Sequence, residues 1–232
     1  MGFILLAGGA EFGGRMDAAD RRAISLAGGP ERPIRIIPAA AAPDNNHRRA
    51  GQNGIEWFQQ LGASDVSALD LIDRQSAEDP NIASELSRAR LIYLLGGFPH
   101  YLDQTLMHSR SWQAILDAHS QGAVVAGSSA GAMVLCEYYH DPATARLHRG
   151  LGLVRGICVL PHHETYGKEW APLIRKNSAH IILVGIDEQT GLINDPQPDR
   201  WRVYGKGKVT LYRNSCIRQF PARQEFRFAE QG

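Results

Sequence analysis

Short apolar runs alternate with longer amphipathic stretches over most of this chain, the rhythm of parallel β-strands joined by crossover helices. The pattern predicts strands at Phe3–Ala7, Ile34–Pro38, Val66–Leu71, Leu91–Leu95, Val124–Ala126, Ile157–Leu160 and Ile181–Ile186. Helical spacing of apolar residues predicts helices near Asn46–Leu61, Ala83–Arg88, Trp112–Ser120, Ala130–Tyr138 and Lys168–Lys176. After Ile186 the rhythm changes. "GLIND", "WRVYGKG" and "KVTLYRN" read as antiparallel strands, with Gly205-Lys206-Gly207 as a tight turn between the last two. The expectation is one α/β domain over residues 1–232, with a mostly parallel central sheet and helices on both faces. Residues 194–232 would add an antiparallel β appendage. In such sheets a site forms at the carboxyl ends of the strands, where the glycine-rich loops of this chain fall.

Composition narrows the partners more than the chemistry. The 232 residues include 44% hydrophobic and 21% charged residues, with a net charge of +1. That balance gives no global field to recruit nucleic acid or an anionic membrane. No apolar run approaches the roughly 18 residues that span a bilayer, and "FILLAGG" is too short for a signal-peptide core. Cys136, Cys158 and Cys216 have no CxxC spacing and read as buried free thiols of a cytoplasmic protein.

The chemistry concentrates at Gly127-Ser128-Ser129-Ala130-Gly131, which fits G-x-S-x-G between a predicted strand and a predicted helix. A serine at the apex of such a turn is strained, and its neighbours two places away must be small to avoid collisions. By register the apex is Ser129 and Ser128 is the "x". Small residues that merely allow close strand–helix packing would give the same composition, but the strand before and helix after favour a nucleophile. A serine needs an imidazole to take its proton and a carboxylate to orient the imidazole. His162 and His163 stand on a loop after the strand "ICVL" and a proline, and Asp187 and Glu188 end another apolar strand. "HHE" read alone is also a surface loop or a fragment of a metal site, although no further ligands stand at recognisable spacing.

These stretches carry a specific resemblance. "GSSAGAM", "LLAGGAEF", "IYLLGG", and "GLGLVRGICVLPHHE" followed by "VGIDEQTGLI" resemble, in order, segments of the serine peptidase family that includes cyanophycinase and dipeptidase E. The similarity runs from Phe3 to about Ile193. It implies a three-layer αβα sandwich like that of class I glutamine amidotransferases, and a Ser-His-Glu triad. It maps the base to His162, with His163 at the place of a phenylalanine, and the acid to Glu188, with Asp187, Asp141 and Glu137 as the competing carboxylates. Ala130, after the nucleophile, supplies one backbone oxyanion donor, and Gly97 resembles the second. No metal and no cofactor is expected.

The resemblance stops at the substrate-reading positions. Phe98-Pro99-His100 follow the double glycine where the named enzymes carry polar residues, and only Lys168 stands between the histidine loop and Arg175. An apolar lip with a nearby cation suits a short peptide bearing a carboxylate. The expected function is thus a serine-type peptidase or amidohydrolase acting on small peptides or isopeptides. Its expected partners are that substrate and, at most, a second copy in a homodimer, with no nucleic acid and no membrane. A serine esterase of the α/β-hydrolase type is a weaker fit, because that fold places its histidine late and the last histidine here is His180. A non-catalytic ligand-binding protein on the same scaffold is the alternative from another class.

Overall fold

The computed structural model describes residues 2–178, 180–197 and 199–230, so the two ends of the expected domain span lie outside the described residues. The chain begins with five strands: β1 (Ile4–Ala7), β2 (Ile34–Ile37), β3 (Val66–Ala68), β4 (Leu91–Leu94) and β5 (Val124–Ser128). They lie side by side in the order β1-β5-β4-β2-β3, and every one of these ladders is parallel. Successive side chains of a strand face opposite ways, and here both faces are covered. Leu5, Ala7, Ile36, Tyr93 and Ala126 pack with α1 (Asp17–Leu26) and α2 (His47–Gln60) on one face. Leu6, Ile37, Leu94 and Val125 pack on the other with α3 (Pro80–Arg88), α4 (Pro99–Leu106), α5 (Arg110–Ser120) and α6 (Ala130–Leu135). Burial on both faces explains why β1, β4 and most of β5 read as continuous apolar runs rather than as alternating ones.

The expectation of one central sheet needs correction. The strands β6 (Cys136–Asp141), β7 (Arg146–Arg149), β8 (Val154–Leu160) and β9 (Ile182–Ile186) build a second sheet. Its inner residues Val159, Val184 and Ile186 join the same core as α3–α6, and its outer residues Cys158, Leu160 and Leu183 are covered by α7 (Trp170–Asn177). The remaining strands are antiparallel, as expected, but they divide between the sheets instead of forming one appendage. Strands β10 (Thr190–Ile193), β11 (Trp201–Gly205) and β14 (Glu225–Phe226) extend the first sheet beyond β1, making it eight-stranded among the described residues. Strands β12 (Lys208–Arg213) and β13 (Cys216–Pro221) extend the second beyond β9. Gly205-Lys206-Gly207 is therefore a crossing between sheets, not the tip of a hairpin.

Three local expectations also change. The helix foreseen to Tyr138 ends at Leu135, and the next residue opens β6 in an extended conformation. "VLCEYY" is apolar enough for either state, and its tyrosines suit the pleated surface of a strand. Helices α1 and α4 carry no strong sequence signal: the buried residues of α1 are Ala19, Asp20, Ala23 and Ile24, with a single large apolar side chain, and α4 opens on Pro99, which reads as a loop residue although proline is well suited to a first helical position. Cys136 and Cys158 are buried, but Cys216 is exposed on β13, an edge strand.

Candidate active site

The turn from β5 into α6 is as abrupt as the sequence requires. Ser129 sits at its apex with φ +49° and ψ −114°, outside the regions that L-residues favour. A Cβ on Gly127 would lie 2.5 Å from the Gly131 carbonyl carbon, and one on Gly131 would lie 2.2 Å from the Leu94 carbonyl oxygen. Neither neighbour can therefore be larger than glycine without moving the elbow. The twin serines are sharply distinguished. Ser128 is fully buried, and its hydroxyl donates to the Glu11 carboxylate at 2.7 Å. Ser129 is half-buried, with its Oγ 3.1 Å from His162 Nε2.

His162 follows β8 with φ +48°, and its backbone N–H donates to the Gly8 carbonyl at 2.7 Å. The next residues hold its ring and backbone. Tyr166 stacks on the imidazole with ring centroids 5.1 Å apart, and Thr165 Oγ1 donates to the His162 carbonyl at 2.8 Å. Nδ1 lies 2.7 Å from Glu188 Oε1. A carboxylate on Nδ1 selects the tautomer with the proton there, which leaves Nε2 as the acceptor for the Ser129 hydroxyl. Glu188 is positioned in turn by Glu164, whose two carboxylate oxygens accept its backbone N–H at 2.8 and 2.9 Å. Burial, and then the Glu188 charge, pushes the Tyr166 hydroxyl above its ordinary pKa, so it stays protonated beside the carboxylate.

The other carboxylates weighed from sequence are elsewhere. Asp187 faces His163, Asp141 accepts from Ala143 and Thr144, and Glu137 accepts from Gly156. "HHE" disperses as well: His162 turns to Ser129, His163 to Tyr212, and Glu164 to the Glu188 backbone.

Ala130 is the first residue of α6, directly after the serine. Gly97 has φ +138°, and a Cβ on it would lie 2.2 Å from the Ala40 carbonyl oxygen. Its neighbour Gly96 abuts the elbow, since a Cβ there would be 3.2 Å from Ser129 Cβ. Both glycines border a cleft of about 500 Å³ whose walls include Glu11, Phe12, Asp44, Glu56 and Trp57. Among the described residues no lysine, arginine or histidine lines it. Of the expected substrate-reading residues, Phe98 is exposed at the head of α4 and Pro99 is buried. His100 turns to the Tyr139 hydroxyl at 2.8 Å. Lys168 is exposed on a single 3-10 turn before α7, and Arg175 donates to the Asn214 carbonyl and lies over the Tyr212 ring. None of these contacts of His100 and Arg175 involves Ser129, His162 or Glu188.

Sequence reasoning gave no role in the triad's surroundings to Glu11, Glu164 or Tyr166. Glu11 was visible as the glutamate of "LLAGGAEF" and Glu164 as the third residue of "HHE", while Tyr166 had only its nearness to the histidines as a signal.

Comparison with known proteins identifies the family. Residues 3–197 match the model of Peptidase family S51. Cyanophycinase from Geminocystis herdmanii is 28% identical over 221 residues, covering 90% of this chain and 79% of that protein. Cyanophycinase from Synechococcus elongatus is 29% identical over 226 residues, covering 90% of this chain and 67% of its own length. The crystal structure of a peptidase from an acI-B1 Actinobacterium superposes with a TM-score of 0.88 at 29% identity, covering 98% of this chain and 97% of the other. A Peptidase E protein from Listeria monocytogenes shares the fold, with a TM-score of 0.61 at 16% identity, covering 95% and 98% of the two chains.

Proposed function

This chain belongs to peptidase family S51 and is a serine peptidase, and from that premise we propose that Ser129, His162 and Glu188 are the triad with which it hydrolyses small peptides or isopeptides. The observation that carries the reading is the continuous line from Ser129 Oγ to His162 Nε2 at 3.1 Å and from His162 Nδ1 to Glu188 Oε1 at 2.7 Å. Ser129 Oγ attacks the scissile carbonyl while its proton passes to Nε2, and Glu188 stabilises the imidazolium that results. The backbone N–H groups of Ala130 and Gly97 receive the oxyanion. The imidazolium then gives its proton to the leaving amine. Water, deprotonated by the same imidazole, releases the acid from the acyl-enzyme. The first sheet, with α1 and α2 on one face and α3–α6 on the other, is read as the three-layer sandwich of the amidotransferase-like fold.

The cleft changes the expected substrate. Three carboxylates and no cation line it, so it favours a peptide that brings a positively charged nitrogen near the scissile bond. Arg175 is occupied by Asn214 and Tyr212, which weakens its role in reading a substrate carboxylate. Phe98 is exposed and directly follows Gly97 in the chain. A non-catalytic binding role fits less well, because it gives no account of a strained serine aligned with a base and an acid.

The test uses a fluorophosphonate probe, which phosphonylates Ser129 Oγ with loss of fluoride. Ser129→Ala should abolish labelling and lower turnover by about four to six orders of magnitude. Ser128→Ala should retain both within about tenfold, since its hydroxyl serves Glu11 rather than the reaction. Label mapped by mass spectrometry to Ser128, or no label at all, would reject the triad. Peptides bearing Arg or Lys should outrun N-blocked Asp-X and N-blocked apolar peptides. The reverse ranking would reject the acidic-cleft reading alone.

A further inference from the structure

A second histidine–carboxylate pair runs beneath the first. Strands β8 and β9 are parallel neighbours with Leu160 opposite Gly185, so their loops leave the second sheet side by side. Each loop carries two adjacent polar residues, His162-His163 and Asp187-Glu188. One member of each couple meets Ser129 or its base, and the other turns inward. His163 and Asp187 are both buried, at 6% exposure each. The His163 backbone N–H donates to the Ile186 carbonyl at 3.1 Å, and its ring lies so flat against β9 that a Cβ on Gly185 would be 2.2 Å from Cδ2. Its Nε2 is 2.8 Å from the Tyr212 hydroxyl on β12, and its Nδ1 is 3.5 Å from Asp187 Oδ1. Asp187 Oδ2 accepts the Lys208 backbone N–H at 3.1 Å, where β12 begins. Among the described residues no hydrogen bond reaches Asp187 Oδ1, so the facing imidazole is what compensates this buried oxygen.

We propose that His163 and Asp187 are positioning residues that fix the spacing of the two loops and thereby hold His162 and Glu188 in line with Ser129. The inference rests on the triad reading above. Its physical need is plain: the Glu188 side chain is 36% exposed, and Glu164 holds the Glu188 backbone N–H rather than its carboxylate, so the acid end of the line gains from a further support. The buried pair supplies that support from one residue away, tying the base loop to the acid loop and both to β12. Removing it lets the loops separate by a fraction of an ångström, which slows proton transfer without altering the cleft where a ligand first binds.

The test separates the two nitrogens of His163. His163→Asn keeps a donor near the Nδ1 position, toward Asp187, and His163→Gln keeps one near Nε2, toward Tyr212. His163→Phe keeps neither. With the fluorophosphonate probe, the maximal labelling rate should fall about tenfold in His163→Phe and His163→Gln and recover to within about threefold in His163→Asn. The probe concentration giving half that rate should stay unchanged. Asp187→Ala should match His163→Phe, and the double variant should be no slower than either. Thermal melts establish that each variant is folded; should His163→Phe not fold, the Asn and Gln pair carries the same comparison. Unlabelled wild-type protein overturns the triad reading and this inference together. Wild-type labelling with an unchanged rate in His163→Phe, equal behaviour of the Asn and Gln variants, or a loss confined to the half-saturating concentration overturns this inference alone.

Discussion

Gly9 offers the most direct test of the site's geometry, because it is far from the proposed triad in sequence and touches His162 in space. The loop after β1 presents Gly9 at φ +118°, and a Cβ there would lie 2.2 Å from His162 Cε1, 2.6 Å from Nε2 and 2.7 Å from Nδ1. Carbon atoms settle at about 3.5 Å or more, so Gly9→Ala must move the imidazole by roughly 1 Å or shift the loop. The Ser129–His162 contact of 3.1 Å has no slack for that displacement. A misplacement of this size costs about 100-fold in rate. The positive φ adds a separate stability cost of about 1–2 kcal/mol, which for a chain of this size is a fall in Tm of about 2–8 °C. Fluorophosphonate labelling and peptide turnover measured well below the melting temperature separate the two effects. Gly13→Ala is the control: its φ of −174° is ordinary extended backbone, nothing lies within 4 Å of the added Cβ, and its activity and Tm should not change. Gly9→Ala protein that is folded and keeps more than half the wild-type labelling rate would refute the packing of His162 on Gly9.

Asp20 is buried under Trp57, whose indole N–H donates to Oδ2 at 2.9 Å, and burial pushes its carboxyl up to about 7. A folded pKa above the ordinary 3.8 means that its contribution is fully present below about pH 4 and is lost as pH rises through 7. Asp20→Asn, which keeps the acceptor for Trp57, should therefore raise stability at pH 8 by on the order of 2–4 kcal/mol, with the gain vanishing toward pH 4. Parallel Tm–pH curves for the two proteins would refute this. The thiols should also divide by burial. Cys216 should react with maleimide in the native state, whereas burial raises the Cys158 thiol to about 12 and the Cys136 thiol well above its ordinary value. Peptide mapping that finds Cys136 or Cys158 modified as fast as Cys216 would count against the packing of β6 and β8.

How much of this was legible in the sequence depended on whether the cause was local. The elbow was readable because Gly127 and Gly131 answer to atoms within a few residues or on the adjacent strand, and no other residue type fits. The strands were readable as strands, but "ICVL" and "ILVGI" are as apolar as "ILLA" and "VVAGS", and composition does not record which sheet a strand joins. The same limit explains Gly205-Lys206-Gly207, where the turn was visible and the change of sheet was not. The choices between His162 and His163, and between Asp187 and Glu188, could not be made from local residue types alone. Adjacent residues at a strand end point to opposite sides, so the outcome turns on where the loops after β8 and β9 dock, and resemblance alone suggested it beforehand. The cleft was hidden for another reason. Its acidic wall combines Glu11 after β1 with Asp44 before α2 and Glu56 within it, residues that no spacing rule relates.

The division into two sheets bears directly on the chemistry. Ser129 comes from the first sheet, at the end of β5, while His162 and Glu188 come from the second, at the ends of β8 and β9. The loop after β1 joins them: the Gly8 carbonyl accepts from His162 N–H at 2.7 Å, and the Gly9 carbonyl accepts from Gln189 N–H at 3.0 Å. Gly8 N–H donates in turn to the Thr190 carbonyl at 3.0 Å. These backbone bonds run between the loop that follows β1 and the two loops that carry His162 and Glu188. Any shift of one sheet against the other must strain them, and it also changes the distance from Ser129 Oγ to His162 Nε2. On the proposed triad, the reactivity of Ser129 is thus a sensitive gauge of how the two sheets dock, because a displacement too small to disturb either core is large against a 3.1 Å hydrogen bond.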